Sequence, residues 1–242
     1  MTFPPSAAPL PDVQRVLCVL AHPDDVDFGS AGTVATWVDA GLEVAYLLVT
    51  RGDAGGFDDT PREQMPLLRE TEQRAAAAAV GVKQVEFLEG YHDGVLEPTI
   101  ALRRDITAVI RRFRPDRVLT SSPLRRWDRL AGPSHPDHLA AGEAATCAIY
   151  PDSRNPFTFT DIGLDPWTVR EVWYSGGPDP DHYVDITDVF PRKLAALRAH
   201  VSQTSHLEGF EEVLRERHGM FARAGGLTDG RLAEGYSIFR TA

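Results

Sequence analysis

Short apolar runs alternate with helical patterns along this chain, and this alternation constrains the fold more than any other feature. Residues 16–21 form an unbroken run rich in β-branched side chains, which is typical of a central parallel strand buried on both faces. Residues 30–40, followed by Gly41, have the pattern of a helix, and residues 43–50 form a second run of the buried type. Together they predict a βαβ unit with a right-handed crossover.

The alternation continues through the rest of the chain. Further strands are predicted over residues 85–88, 117–120, 171–174 and 183–186, and further helices over residues 62–80, 99–113, 136–149, 189–201 and 206–221. This pattern indicates a Rossmann-like, doubly wound α/β fold, in which a mostly parallel sheet lies between two helical layers. We expect residues 1–11 to be a disordered leader and residues 12–242 to form one domain. Residues 151–167, rich in Pro and Asp, are predicted to be a lid or an oligomer contact.

Charge and cysteine content exclude several classes of protein. The formal net charge of −10 argues against a nucleic-acid binder, because phosphate backbones are bound by clustered Lys and Arg. Arg125, Arg126 and Arg129 form a local basic cluster that is a candidate contact point. Cys18 and Cys147 lack disulfide spacing, and no run reaches the roughly 18 apolar residues of a membrane span. We therefore expect a soluble protein of the reducing cytoplasm.

A polar cluster, His22-Pro23-Asp24-Asp25, directly follows the first predicted strand. In open parallel sheets ligands bind at the carboxyl ends of the strands, so this cluster is in the position of a binding site. The proline restricts the backbone of the turn. His22 and Asp25 can then converge on one point while Asp24 is directed elsewhere. This arrangement suits a metal ion.

A second cluster, His135-Pro136-Asp137-His138, follows the fourth predicted strand. With Pro136 at the first helical position, His135 and His138 lie on one helical face. Imidazole and carboxylate ligands favour zinc or a similar divalent ion, and three protein ligands leave the open position of a catalytic site. Asp24 and His135 would remain for hydrolysis, as a base for the attacking water and as a group that stabilises the oxyanion and protonates the leaving amine.

Other interpretations of these residues are weaker. Either cluster alone is explained by hydrogen-bonded structural groups, but independent structural roles would not place both at the carboxyl edge of the sheet. Asp24-Asp25 also resembles the acidic pocket of a phosphoacceptor receiver domain, which has a similar topology. Gly52, Gly55 and Gly56 follow the second strand and do not form the GxGxxG fingerprint of a dinucleotide site.

Taken together, the motifs resemble the PIG-L (LmbE-like) family of zinc-dependent N-acetylglucosaminyl deacetylases. The resemblance rests on the two clusters and on further motifs in the same order, namely Thr50-Arg51-Gly52, Gly55-Gly56, Arg69, Glu72, Asp93 and His200-Val201-Ser202-Gln203. The chain departs from the family pattern at the position after the paired aspartates, where glutamate is common in the family. This chain has Val26 there, followed by Asp27. It departs again at Pro133, where deacetylases of the mycothiol pathway have a mobile tyrosine.

The resemblance implies a role for each matching residue. The implied zinc ligands are His22, Asp25 and His138, and the implied general base is Asp24. His135 is implied to stabilise the transition state, with Asp137 orienting it. Arg69 and Asp93 are implied to hold sugar hydroxyls. A bidentate guanidinium and an acceptor carboxylate are suited to vicinal diols. Zinc is the expected metal, and Fe²⁺ can occupy similar ligands.

The predicted function is therefore the zinc-dependent removal of an N-acetyl group from a small N-acetylglucosamine-type sugar conjugate. Two alternatives stay open. One is an amidase that cleaves a larger acyl amide, such as a thiol conjugate, and the other is a non-catalytic metal- or sugar-binding module. The sequence leaves the aglycone, the acyl group and the oligomeric state undetermined, and a homo-oligomer is compatible with it.

Overall fold

The alternation of strands and helices is confirmed by a computed structural model, which describes residues 5–57 and 59–241. The strands are β1 (Arg15–Leu20), β2 (Glu43–Leu48), β3 (Gln84–Phe87), β4 (Arg117–Ser121), β5 (Glu171–Ser175), β6 (His182–Asp185) and β7 (Ala233–Arg240). The helices are α1 (Asp25–Asp39), α2 (Met65–Ala79), α3 (Ile100–Phe113), α4 (Pro136–Cys147), α5 (Phe190–Ala199), α6 (Val201–Thr204) and α7 (Phe210–Ala224). Among the described residues, no helix has the length and apolar character needed to cross a bilayer.

The strands form one seven-stranded sheet in the order β3-β2-β1-β4-β5-β7-β6. Val16 of β1 pairs with Val44 of β2 on one side and with Arg117 of β4 on the other, and both pairings are parallel. β7 runs antiparallel to β5 and β6. The strand order reverses between β1 and β4, because the chain leaves β1 toward β2 and later returns on the opposite side. Such a reversal opens a crevice at the carboxyl ends of the two strands.

Helices cover both faces of the sheet, so the predicted three-layer arrangement is confirmed. Successive side chains of a strand point to opposite faces. Cys18 and Leu20 of β1 accordingly belong to a core cluster that α1, α2 and α5 complete, whereas Leu17 and Val19 belong to a cluster completed by α3 and α4. Burial on both faces explains why the β1 sequence is apolar throughout.

The last strand, β7, is not predicted by the sequence pattern. Glu234 and Gly235 interrupt its apolar residues, and both residue types are depleted in strands. Glu234 is nevertheless buried, because its carboxylate accepts hydrogen bonds from Lys193 Nζ at 2.8 Å and from the backbone N–H groups of Gly32 and Thr33 at 3.1 and 2.7 Å. These donors come from α5 and α1, so only the tertiary structure compensates the buried charge.

Residues 6–10, which lie within the predicted leader, are hydrogen-bonded to the sheet. The backbone N–H of Ala7 donates to the carbonyl oxygen of Ile238 at 2.9 Å, and the N–H of Ile238 donates to Ser6 Oγ at 2.7 Å. The N–H of Leu10 donates to Glu171 Oε2 at 2.7 Å. The segment is thus hydrogen-bonded to β7 and β5. The contact with β7 was not foreseen, because that strand was not predicted. Residues 1–4 of the predicted leader lie outside the described residues.

The Pro- and Asp-rich excursion of residues 151–167 is bonded to α3. The Arg111 guanidinium donates to the carbonyl oxygens of Asp152, Asn155 and Thr158 at 2.9, 2.8 and 3.0 Å. Arg103 forms a two-pronged ion pair with the Asp152 carboxylate, with both N–O distances at 2.9 Å. These bonds hold the segment on the helical layer formed by α3 and α4.

Gly142 allows α4 to lie close to the sheet, since a Cβ atom here would overlap the carbonyl oxygen of Ser121 in β4. We predict that Gly142→Ala lowers the free energy of unfolding by about 1–3 kcal/mol, because the backbones of α4 and β4 cannot easily move apart. This loss is expected even though alanine is the better helix former. Gly219→Ala in α7 is the matched control. Its Cβ would meet only Arg223 Nη1, at 3.5 Å, and the change should raise stability by about 0.5–1 kcal/mol. Urea unfolding measures both, and effects of the same sign would contradict the close-approach explanation.

Candidate metal centre

The two polar clusters meet at the carboxyl edge of the sheet, where the strand order reverses. A tight turn joins β1 to α1, which begins at Asp25 rather than at residue 30, so the predicted start of this helix is wrong. A longer loop joins β4 to α4. The ring centroid of His22 lies 5.2 Å from that of His135 and 5.3 Å from that of His138. The parallel pairing of β1 with β4 therefore brings distant parts of the chain together.

The Asp25 carboxylate lies between two imidazole rings. Its Oδ1 is 2.8 Å from His138 Nε2, and its Oδ2 is 3.5 Å from His22 Nδ1. Ring nitrogens of His22, His135 and His138 lie within 4.8 Å of one another. Imidazole and carboxylate groups are the ligands that zinc and similar divalent ions prefer. The donor set therefore fits a divalent metal ion.

The second nitrogen of His22 faces two carboxylates. His22 Nε2 lies 3.0 Å from Asp137 Oδ2 and 3.0 Å from Asp93 Oδ1. Ionised carboxylates only accept hydrogen bonds, so Nε2 carries a proton and Nδ1 is the nitrogen available to a metal. The backbone N–H groups of Gly94 and Leu96 donate to Asp137 at 2.7 and 3.2 Å and fix its position. A carboxylate behind the ring is the usual support of a metal-ligating histidine.

The contact between Asp137 and His135 differs from the expected one. The carboxylate of Asp137 contacts His22, and only its backbone N–H reaches His135, donating to Nδ1 at 3.3 Å. This bond makes His135 the N-terminal cap of α4. It leaves Nε2 of a neutral ring as the protonated nitrogen. Burial, followed by the neighbouring imidazoles of His22 and His138, lowers the pKa of His135.

Asp24 has a backbone conformation that is rare outside glycine, with φ at 88°. Its N–H donates to Gln73 Oε1 at 2.8 Å, and its carboxylate accepts a hydrogen bond from Arg69 Nη2 at 3.1 Å. Burial raises the pKa of the Asp24 carboxyl to about 6, and the charge of Arg69 opposes the rise. Non-glycine residues in such conformations persist only where the surroundings hold them, and they cluster at functional sites.

A buried hydrogen-bond network lies behind Asp24. Gln73 Nε2 donates to Asp27 Oδ2 at 2.8 Å, and His200 Nε2 lies 2.8 Å from the same oxygen. Asp27, Gln73 and His200 are all fully buried. Asp27 and Gln73 were not among the predicted site residues. The available signal was spacing, because Gln73 is one helical turn after Arg69 and so lies on the same face of α2.

Arg69 and Asp93, predicted to hold sugar hydroxyls, are largely occupied within the protein. Besides Asp24, the Arg69 guanidinium donates to the carbonyl oxygens of Gly52 and Pro23 at 2.9 and 2.7 Å. A Cβ at Gly52 would overlap this guanidinium, which explains the glycine. Asp93 Oδ2 lies 3.6 Å from Arg69 Nη1. Both side chains line the cavity described next, but Arg69 chiefly holds the turn that carries Asp24.

A cavity of about 810 Å³ is lined by most of the predicted site side chains, namely His22, Asp24, Asp25, Arg69, Asp93, His135 and His138. This volume lies in the upper part of the roughly 300–1,000 Å³ range of small-molecule sites. α7 contributes a wall that includes Phe210, Leu214, Arg217 and Phe221, and the loop before α4 contributes side chains as well. None of the described lining residues comes from residues 151–167, so this segment does not contribute to the cavity wall.

The fold and the site define an α/β protein with a histidine–carboxylate centre at the switch point of its sheet. Residues 17–149 match the family model described as PIG-L, GlcNAc-PI de-N-acetylase. This match spans more than half of the chain and includes both polar clusters. The chain belongs to the PIG-L family, as its motifs predicted.

Individual relatives agree with this assignment. Diacetylchitobiose deacetylase of Thermococcus kodakarensis is 38% identical over 202 residues, which cover 81% of this chain and 72% of the relative. A probable N-acetyl-alpha-D-glucosaminyl L-malate deacetylase 2 of Bacillus cereus is 31% identical and is matched over 85% of this chain and 88% of its own length. The solved structure of N,N'-diacetylchitobiose deacetylase from Pyrococcus horikoshii, in complex with its inhibitor MPG, superposes with a TM-score of 0.85 at 31% identity. The superposition covers 94% of this chain and 84% of that one.

We predict that Asp137→Asn weakens the binding of divalent cations by about 10–100-fold, because the amide no longer fixes and polarises the His22 ring. Competition with a chromophoric chelator, with Zn²⁺ as the probe, measures the affinity. Asp152→Asn is the matched control, since Asp152 is an equally buried carboxylate that pairs with Arg103. Both variants should lose thermal stability, but only Asp137→Asn should lose affinity. Equal affinity in both variants would contradict the supporting role of Asp137.

Proposed function

We propose that this protein is a zinc-dependent hydrolase that removes the N-acetyl group from an N-acetylglucosamine-type sugar conjugate. One observation carries the proposal: the Asp25 carboxylate contacts both His22 and His138, and ring nitrogens of these two histidines and of His135 lie within 4.8 Å of one another. Asp24 and His135 line the same cavity. The names of the relatives, which are deacetylases of N-acetylglucosamine compounds, support the reaction and the substrate class.

His22, Asp25 and His138 would hold the metal through Nδ1, the carboxylate and Nε2. A zinc ion bound there supplies Lewis-acid polarisation of the amide carbonyl and lowers the pKa of water. Fe²⁺ is the alternative, because imidazole and carboxylate ligands accept both ions. Asp137 keeps the proton of His22 on Nε2 and thereby keeps Nδ1 free to bind.

Asp24 acts as the general base. Its carboxylate accepts a proton from water as the water oxygen bonds to the acetamide carbon. His135, in its protonated form, stabilises the oxyanion and gives its proton to the leaving nitrogen as the C–N bond breaks. The products are acetate and a free amino sugar.

Asp24→Asn should lower kcat by about a hundredfold or more, because the carboxylate that takes the proton is lost while the metal ligands remain. Amine release from N,N'-diacetylchitobiose and from simple N-acetylglucosaminides measures turnover, and elemental analysis measures bound zinc. Asp105→Asn, on α3, is the control and should keep full activity. Full activity in Asp24→Asn would exclude the general-base role.

The same assay separates the alternative functions. A preference for N-butyryl over N-acetyl glucosaminides would identify an amidase for larger acyl groups. Failure of the zinc-loaded protein to release amine from any of these compounds would favour a metal- or sugar-binding module.

We further propose that Gln73 positions the general base. Gln73→Met removes the acceptor for the Asp24 N–H and the donor to Asp27, with little change in volume. We expect kcat to fall about 10–100-fold, as for small displacements of a catalytic group, while KM and zinc affinity stay unchanged. Gln84→Met is the control, because the Gln84 side chain is exposed on β3 and donates to Glu43, away from the site. A parallel loss of zinc affinity in Gln73→Met would indicate a general structural role instead.

A further inference from the structure

Besides Arg69, three arginines line the same cavity as the candidate metal centre. Arg217 lies on α7, and Arg126 and Arg129 lie in the loop between β4 and α4. The last two belong to the basic cluster that the sequence singled out, and the deacetylation chemistry does not use them. The third member of that cluster, Arg125, is used structurally and donates to the carbonyl oxygen of Ser134 at 3.1 Å.

Arg217 lacks an acidic partner in the part of the chain that the structure describes. Among the residues that the structure describes, none forms an ion pair or hydrogen bond with its guanidinium, which lies 5.9 Å from the ring centroid of Phe221. Arg215, two positions earlier on the same helix, pairs with Glu211 at 2.8 Å. The chain has 35 acidic and 25 basic residues, so carboxylates are in excess and an unpaired, half-buried arginine is unusual.

The other two guanidiniums do not neutralise this charge. Arg126 pairs with Asp128 at 2.6 Å, and within the described part of the chain Arg129 has no ion pair. Burial, followed by the positive charge of Arg129, lowers the pKa of Arg217, and Arg126 adds to the effect. Like charges that converge in a partly desolvated position repel one another, and an anion bound among them removes this cost.

We propose that Arg217, together with Arg129 and Arg126, forms an anion subsite in the substrate cavity, so that the preferred substrate carries a carboxylate or phosphate group in addition to its acetamide. Guanidinium groups recognise both anions through paired hydrogen bonds. This inference rests on the proposed deacetylase function and narrows its substrate class. A neutral disaccharide offers no group for the subsite.

Three substrates that share one acetamide test the proposal: methyl N-acetylglucosaminide, N-acetylglucosamine 1-phosphate and an N-acetylglucosaminide of a hydroxy acid. In the wild type, kcat/KM should favour at least one anionic substrate over the neutral one by about 10–100-fold, the usual effect of a charge-assisted contact. High salt should reduce this preference. The phosphate and carboxylate arms show which anion is recognised, and a preference for either supports the subsite.

Arg217→Met should remove most of the preference, which is the ratio of the anionic to the neutral kcat/KM. Arg217→Lys should keep part of it, because the charge remains while the paired geometry is lost. Arg215→Met is the matched control and should keep the wild-type ratio. A wild-type ratio near one, or an unchanged ratio in Arg217→Met, would overturn the proposal.

Calorimetric binding separates this proposal from the proposed function. If no substrate is hydrolysed, the deacetylase function fails, but the subsite still predicts tighter binding of at least one of the two anionic substrates than of methyl N-acetylglucosaminide. That difference should be present in the wild type and in Arg215→Met and lost in Arg217→Met. Equal binding of all three compounds by the wild type would overturn the subsite whatever the activity.

Discussion

The contact of one carboxylate, Asp25, with the imidazoles of His22 and His138 joins the ends of two adjacent strands, and the rest of the site depends on it. It requires β1 and β4 to be parallel neighbours, so that both strands end at the same edge of the sheet. It also requires α4, which follows a longer loop, to lie close to the end of β4. Gly142 serves this second requirement by letting α4 approach the carbonyl oxygen of Ser121.

The turn between β1 and α1 directs neighbouring carboxylates to different tasks. The left-handed conformation of Asp24 turns it away from Asp25, and α2 supplies the compensation through Arg69 and Gln73. Asp27 accepts a hydrogen bond from Gln73, and His200 contacts the same oxygen of Asp27. The chain has Val26 where glutamate is common in the family, and its buried carboxylate is Asp27, one residue later. Through Gln73, Asp27 supports the turn between β1 and α1.

The sequence predicted those parts of the molecule that local order determines. Apolar runs located β1 to β6, and proline-containing clusters at strand ends located His22, Asp24, Asp25, His135 and His138. Contacts between distant residues were not predictable. Glu234 opposes strand formation in isolation and becomes compatible with β7 only because Lys193 is buried beside it. For the same reason, Asp137 was assigned to its neighbour His135, although its carboxylate reaches His22 across the sheet edge.

The buried pair of Glu234 and Lys193 also explains why Arg217 remains unpaired. Glu234 is an acidic group close enough to influence Arg217, yet both its oxygens are occupied. Oε1 accepts hydrogen bonds from Lys193 and Gly32, and Oε2 accepts them from Thr33 and from the hydroxyl of Tyr236. The same pair that makes β7 possible therefore leaves a positive charge at the cavity wall. An external anion is the remaining partner, which links the packing of the last strand to the choice of substrate.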